Sequence, residues 1–333
     1  FNTAVGTQAG KALTTGVNNT FIGGLAGDAF DVGALNTAVG MGALSTDTKG
    51  SRSTALGYFA LVTQNFATTT DTYNVAMGHA AGGAVTVGVE NTLIGALAGD
   101  ALTDADKNTA IGFNALTSDT LGRTSTAVGY QTLRDQNFST STDTFNTAVG
   151  FNAGTNVTTG ALNTLIGGLA GDSLTTGFDN VALGKGALST ENGGAKNTAI
   201  GFEALLNQDA GDEANYNTAV GAGAGASITN GFQNTVVGAA AGGISTGDQN
   251  TNVGFFSSGG AVSTGNLNTG LGYATMFEIT SGSNNTTIGA NAGRSASPGG
   301  SITNGSNTIT LGNNSVATAN IKVDWTVSSD QRD

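Results

Sequence analysis

A five-residue unit, Asn-Thr-Ala-Val-Gly at Asn2–Gly6, returns about every seventeen residues along the chain. Clear copies begin at Asn2, Asn19, Asn36, Ser53, Asn74, Asn91, Asn108, Ser125, Asn146, Asn163, Asn180, Asn197, Asn217, Asn234, Asn250, Asn268 and Asn285, and a looser copy begins at Asn307. In the clear copies the fourth position is always Val, Ile, Leu or Met, the fifth is always Gly, and no charged residue intrudes. Apolar–polar alternation over so few residues predicts a short strand, and Gly after it predicts a sharp corner. Seventeen residues hold two short strands and two turns but no helix of ordinary length, and the Gly density argues further against helix. A fixed short period makes each coil a unit that buries its apolar side only by stacking on its neighbours. The expected fold is therefore all-β: a parallel β-solenoid of about 17-residue coils, on the order of 80 Å long at ~4.8 Å per coil.

A longer period lies over the first. The spacings between copies run 17, 17, 17, 21, then repeat, so four coils form a block of about 72 residues starting at Asn2, Asn74, Asn146 and Asn217. The first two coils of each complete block carry Ala-Gly after the corner, as at Ala9-Gly10, and the next two usually carry Leu, as at Leu44 and Leu61. The fourth coil always places an aromatic residue after the corner Gly: Tyr58, Tyr130, Phe202, Tyr273. The second coil carries a large residue at position three: Phe21, Leu93, Leu165, Val236.

Alternation puts positions two and four on one side of the strand and position three on the other. With Thr and the aliphatic residue taken as inward, Val5, Ile22, Val39, Ile94, Ile111 and Val128 are the expected core. Phe21, Leu93, Leu165 and Val236 then form an outward apolar row, which on a soluble rod marks an interface, here between chains of a homotrimer. The alternative is that one chain covers both faces.

The chain is 333 residues long, with 54 Gly, 1 Pro and no Cys; only 10% of residues are charged and the net charge is −12. Length alone suggests two or three globular domains, but the repeat argues for one continuous solenoid over residues 1–312, with a C-terminal strand and junction over 313–333. Eleven scattered Lys and Arg do not make a phosphate-binding surface, so nucleic acid is not an expected partner. No eighteen-residue apolar run predicts a membrane span, and without Cys neither disulfides nor Cys-based metal sites are available.

Candidate chemistry is sparse. His79 is the single His and follows a corner Gly, where other blocks carry Thr7, Phe151 and Ala222, which reads as a substituted turn position rather than a base. Asp104 and Asp106, and the group Asp209, Asp212 and Glu213, offer oxygen ligands for Ca²⁺ or a pair of carboxylates for glycoside hydrolysis, but no calcium-loop spacing is present. Neither a metal nor a cofactor is expected. No Walker spacing follows any strand. The Asn at position one reads as a ladder of stacked amides satisfying turn backbone. The longer turns of the fourth coils, Val62 to Tyr73, Arg134 to Phe145 and Leu206 to Tyr216, are the expected protrusions.

The Asn-Thr-Ala-Ile-Gly units, such as Asn108–Gly112 and Asn197–Gly201, resemble the head repeats of trimeric autotransporter adhesins, whose shorter-period coils form three-chain β-rolls. The C-terminal Trp325-Thr-Val-Ser-Ser-Asp-Gln-Arg-Asp333 resembles the entry to the endosialidase-type intramolecular chaperone of phage tail fibres and tailspikes. Ser329, Asp330 and Arg332 match its Ser-Asp-x-Arg signature, a resemblance that implies trimerisation followed by self-cleavage between Ser329 and Asp330. The implied function is a non-catalytic host-attachment fibre, the distal part of a phage tail fibre in the virion. Its partners would be itself, other tail proteins and a host surface glycan or protein receptor. A polysaccharide-degrading tailspike, a bacterial surface adhesin and an ice-binding solenoid are the alternatives; the last requires the row Thr3, Thr20, Thr37 to lie on a flat exposed face.

Overall fold

The computed structural model describes residues 1–318 except 210, 212, 261 and 262. Eighteen strands, from Thr3–Val5 to Ile309–Leu311, form one parallel sheet. Each pairs in register with the strand of the next coil, Thr3 with Thr20, Ala4 with Phe21, Val5 with Ile22, and the same register recurs through Ile288 and Leu311. No helix occurs among the described residues. The solenoid expected from the repeat is thus observed, with one difference. Among the described residues a second strand occurs in the third and fourth coils of the first two blocks, where Gly50–Ser51 pairs Thr70–Asp71 and Gly122–Arg123 pairs Thr142–Asp143, and single bridges at Ala195–Ala214 and Ile244–Ser263 follow in later coils. The rest of each coil is turn backbone whose N–H groups reach carbonyls of the neighbouring coil, as Gly99 N does to Ala115 O at 2.9 Å.

The facing of the strand is the reverse of the sequence expectation. Position three points inward: Phe21, Leu93, Leu165 and Val236 are all 0% exposed and belong to the core of a single chain, so they are not the interface row. Positions two and four point outward. Val5 is 58% and Ile22 39% exposed, and Val39, Ile94, Ile111 and Val128 are partly exposed rather than buried.

The cause is volume. Asn at position one and Ala at position three bring the strand close to the opposite turn, and Leu from the third and fourth coils fills the space between. In the first two coils the turn carries Ala-Gly, and the large residue at position three of the second coil reaches both turns and occupies what Leu vacates. A Cβ on Gly27 would lie 2.6 Å from the Phe21 ring, and one on Gly171 would lie 2.7 Å from Leu165 Cδ2. Phe21 also stacks on Phe30 with centroids 5.2 Å apart.

Asn at position one holds the corner. Asn36 N donates to Asn19 Oδ1 at 2.9 Å, Ser53 N to Asn36 Oδ1 at 2.9 Å, and Asn108 Nδ2 to Gly122 O at 2.9 Å. The amides are buried and satisfied coil by coil, a ladder that fixes both strand register and turn. At the other corner Gly is required: Gly112 has φ +139° and its Cβ would lie 2.1 Å from Gly129 O.

Candidate interaction face and buried acid clusters

Between the two corners each coil shows four side chains to solvent: the residue before the Asn, position two, position four, and the residue after the corner Gly. Stacking turns these into four rows along the rod. The position-two row is Thr except for Val75 and Val181, and position four is aliphatic or Met in every clear copy. Exposure of that fourth-position row reaches 42% at Met77 and Leu183, 43% at Ile288 and 48% at Leu271.

The row after the corner is aromatic in runs. Tyr58 stacks on His79 at 5.4 Å and 9°, Phe113 on Tyr130 at 5.6 Å, Tyr130 on Phe151 at 5.3 Å and 6°, and Phe255 on Tyr273 at 5.9 Å. These rings stand half exposed, and Lys185 Nζ caps Phe202 from 5.5 Å. The second coil of each block interrupts the row with Gly24, Ala96, Gly168 or Ala239. The backbone does not impose the interruption. A Cβ on Gly24 would meet nothing within 4 Å, and one on Gly168 only Phe151 O at 3.9 Å.

Inside the coil, sequence reasoning missed a second period-four feature. Eleven residues after the Asn, successive coils carry Val85, Leu102, Asp119, Gln136, then Val157, Leu174, Glu191, Gln208; the first block has Leu13, Phe30, Asp47, Gln64. The acid–Gln pair recurring every 72 residues is visible in the sequence once coils are aligned on their Asn. Asp47 Oδ1 accepts from Gly50 N at 2.9 Å and Oδ2 from Gln64 Nε2 at 2.6 Å. Gln64 Nε2 also donates to Ser53 Oγ, while its Oε1 accepts from Asn74 Nδ2 at 2.9 Å. Asp119 repeats the arrangement with Gln136, Ser125 and Asn146. Glu191 repeats it with Gln208, which bonds Asn215 and Asn217. All three acids are fully buried, and none joins the ion pairs found among the described residues. Burial raises each carboxyl above its ordinary range, opposed by the hydrogen bonds from Gln and turn N–H groups. These clusters seat the longer turns, whose Phe66 and Phe138 are buried while residues 67–69 and 139–141 are exposed.

The other candidate residues do not converge. His79 is a rung of the aromatic row. Asp104 and Asp106 lie 3.8 and 3.4 Å from Arg123 Nη2, so a cation is already supplied by the chain. Asp209 and Glu213 are exposed, and Asp212 lies outside the described residues, as do Ser329, Asp330 and Arg332. Among the described residues no three His, Cys, Asp or Glu cluster as a metal would need, and no pocket opens. Among the described residues no helix is long and apolar enough to cross a membrane. What the fold defines is a β-solenoid repeat protein whose long, regular outer face carries an aliphatic row beside a Thr row. Comparison with models of known protein families and with curated proteins gives no match.

Proposed function

We propose that the chain is the shaft of a homotrimeric host-attachment fibre of the phage tail-fibre type, acting by presenting surface rather than by catalysis. The observation that carries the reading is the outward fourth-position row, aliphatic or Met at every clear copy along about 80 Å of rod. Contiguous apolar surface of that extent marks an interface. A globular partner would cover a few coils; only something as long and as periodic covers all of them, and another copy of the chain is both. The interface thus moves from the position-three residues to Val5, Ile22 and their successors. The Ser329-Asp330-x-Arg332 resemblance supports the same reading, because a trimerising chaperone would set the axial register of three identical rods. Other tail proteins and a host glycan or protein receptor are the partners this role requires. Sedimentation velocity and small-angle scattering test it: a rod of three chains is expected, and a monomer at all concentrations with no adsorption to any host cell rejects it.

The outward Thr row favours one second reading. Thr3, Thr20 and Thr37 do face outward in register on a parallel sheet, one of the conditions for an ice-binding surface. The adjoining aliphatic row and the projecting rings at its edge make the face more apolar and less flat than that role needs. Thermal hysteresis in the monomeric chain would bring this reading to the front.

A further inference from the structure

The two edges of the outer face carry matched features of the same four-coil period. At one edge, the residue before the Asn is aromatic in the first coil of each later block: Tyr73, Phe145 and Tyr216, exposed by 52%, 56% and 50%. At the other edge, the second coil leaves a rung out of the aromatic row at Ala96, Gly168 and Ala239. Ring and gap are 23 residues apart in every block. The rings are held at positive φ, 51°, 49° and 55°, a conformation this site keeps in other coils, where it carries Asn, Lys and Gln but also Leu35, Leu162 and Thr124. Within the chain Arg52 lies over Tyr73 at 5.7 Å and Lys196 over Tyr216 at 5.1 Å, each covering one side of a ring that stays half exposed, and the gaps are not required by the backbone.

We propose that each ring enters the missing rung of a neighbouring copy: Tyr73 over Ala96, Phe145 over Gly168, Tyr216 over Ala239. This rests on the homotrimer reading and adds its contact. In a cyclic trimer around an axis along the rod, one edge of each chain meets the opposite edge of the next, a heterologous contact that closes. Chains at one height offset ring and gap by one coil, ~4.8 Å, within the reach of a Phe or Tyr side chain. The flanking rungs lie two coils apart, so a ring seated midway keeps the 5.3–5.9 Å stacking step of the existing runs. Between His79 and Phe113 it meets a ring on each side, between Phe151 and Lys185 a ring and a cation, and between Ala222 and Phe255 a ring on one side only. The outer face spans seven residues, six steps of ~3.3 Å, by eighteen coils, roughly 1,600 Å² in outline, and shared between two neighbours this gives each the ~800 Å² per partner of a stable interface. The partner must repeat every four coils, and a second copy of this chain does.

The test is to fill the gaps and to map the rings. Ala96→Phe with Gly168→Phe adds rungs of the kind already present at Phe113 and Phe151, with no clash inside the chain. The variant is expected to fold, with unchanged circular dichroism, and to need at least ten times the wild-type concentration for half-assembly. Separately, p-benzoylphenylalanine at position 73 should photocross-link two copies, with the adduct on the peptide containing Ala96. A wild-type trimer whose filled-gap variant assembles equally well, or whose adduct maps elsewhere on the partner, overturns the contact and leaves the trimer. A filled-gap variant that assembles but loses cell binding assigns the gap to a receptor and overturns the contact. A wild-type chain that stays monomeric overturns both.

Discussion

Leu165 and Ile166 are neighbours on one strand with opposite fates, which makes them the sharpest check on the facing of the whole solenoid. Leu165 is 0% exposed, and its methyls lie against Gly154 and Gly171, with Leu133 and Leu174 beyond. Truncation to Ala removes ~1.5–3 kcal/mol of transfer free energy. The cavity then stays open, because the two Gly have no side chain to move in and their N–H groups are tied to Ala170 O and Ala187 O at 2.9 Å. The total belongs in the upper part of the range for such changes, about 3–5 kcal/mol. Ile166 is 36% exposed and its loss leaves no cavity, so Ile166→Ala on a single chain costs about 1 kcal/mol. Stacked coils need not unfold in one step. The measurement is therefore local: hydrogen exchange at Gly167 N, bonded to Val149 O at 2.8 Å, at a concentration where the chain is monomeric. Equal costs at the two positions, or a larger cost at Ile166, would refute the inward assignment of position three. At concentrations where chains associate, the cost at Ile166 should grow while that at Leu165 stays fixed.

Asn108→Ala deletes the donor to Gly122 O and the acceptor of Ser125 N, two buried groups left unpaired, for a loss of about 2–5 kcal/mol read from the denaturant midpoint; a loss under half that would mean water replaces the amide. Gly112→Ala forces a Cβ onto Gly129 O at positive φ and should prevent folding of that coil, whereas Gly168→Ala, with no such contact, should be neutral by the same assay. Stability should fall as pH rises above the ordinary carboxyl value of 3.8. Asp47, Asp119 and Glu191 are raised by burial, so the folded chain binds their protons more tightly than the unfolded one, and that stabilisation is complete below the unfolded pKa and lost through the folded one. Asp100 and Asp172 are also raised by burial and act in the same direction. Thermal midpoints from pH 4 to 7 check this: Asp47→Asn, Asp119→Asn and Glu191→Gln together should flatten the slope, and an unaltered slope contradicts the assignment.

The architecture was legible because one motif states its own period, and Gly and Asn sit where corners and ladders need them. The facing was not, because alternation separates position three from positions two and four without saying which is inside. Composition misled here. Thr-x-Val looks like a core pair, and Ala at position three looks like a surface filler. The deciding signal was compensation between distant positions: one large residue at position three of the second coil lies against the Ala-Gly turns of both the first and second coils, and position three is small where the turn carries Leu. Asp47 and Gln64 were legible for the same reason and missed for another, since an acid seventeen residues from a Gln means nothing until stacking makes them neighbours.

Coils that all carry the same Asn ladder raise a register problem, because a strand pairs almost as well with the next coil but one, or with the wrong coil of another chain. Within the chain the acid–Gln pair removes the degeneracy. Looping out the fourth coil would set Asp47 against Val85, and Asp119 against Val157, in place of Gln64 and Gln136. A buried carboxyl that loses its hydrogen-bond partner costs ~1–3 kcal/mol, more when charged, and this opposes the slipped pairing. Between chains the ladder is silent, since its amides are buried. Only the outward rows can distinguish coil from coil there, and the position-four row is nearly uniform. The residues that break uniformity outside are the rings and the missing rungs, with the same four-coil period as the acids inside. Two sets of side chains on opposite sides of one backbone thus carry one register, the inner set for the fold of a chain and the outer set for the proposed alignment of three.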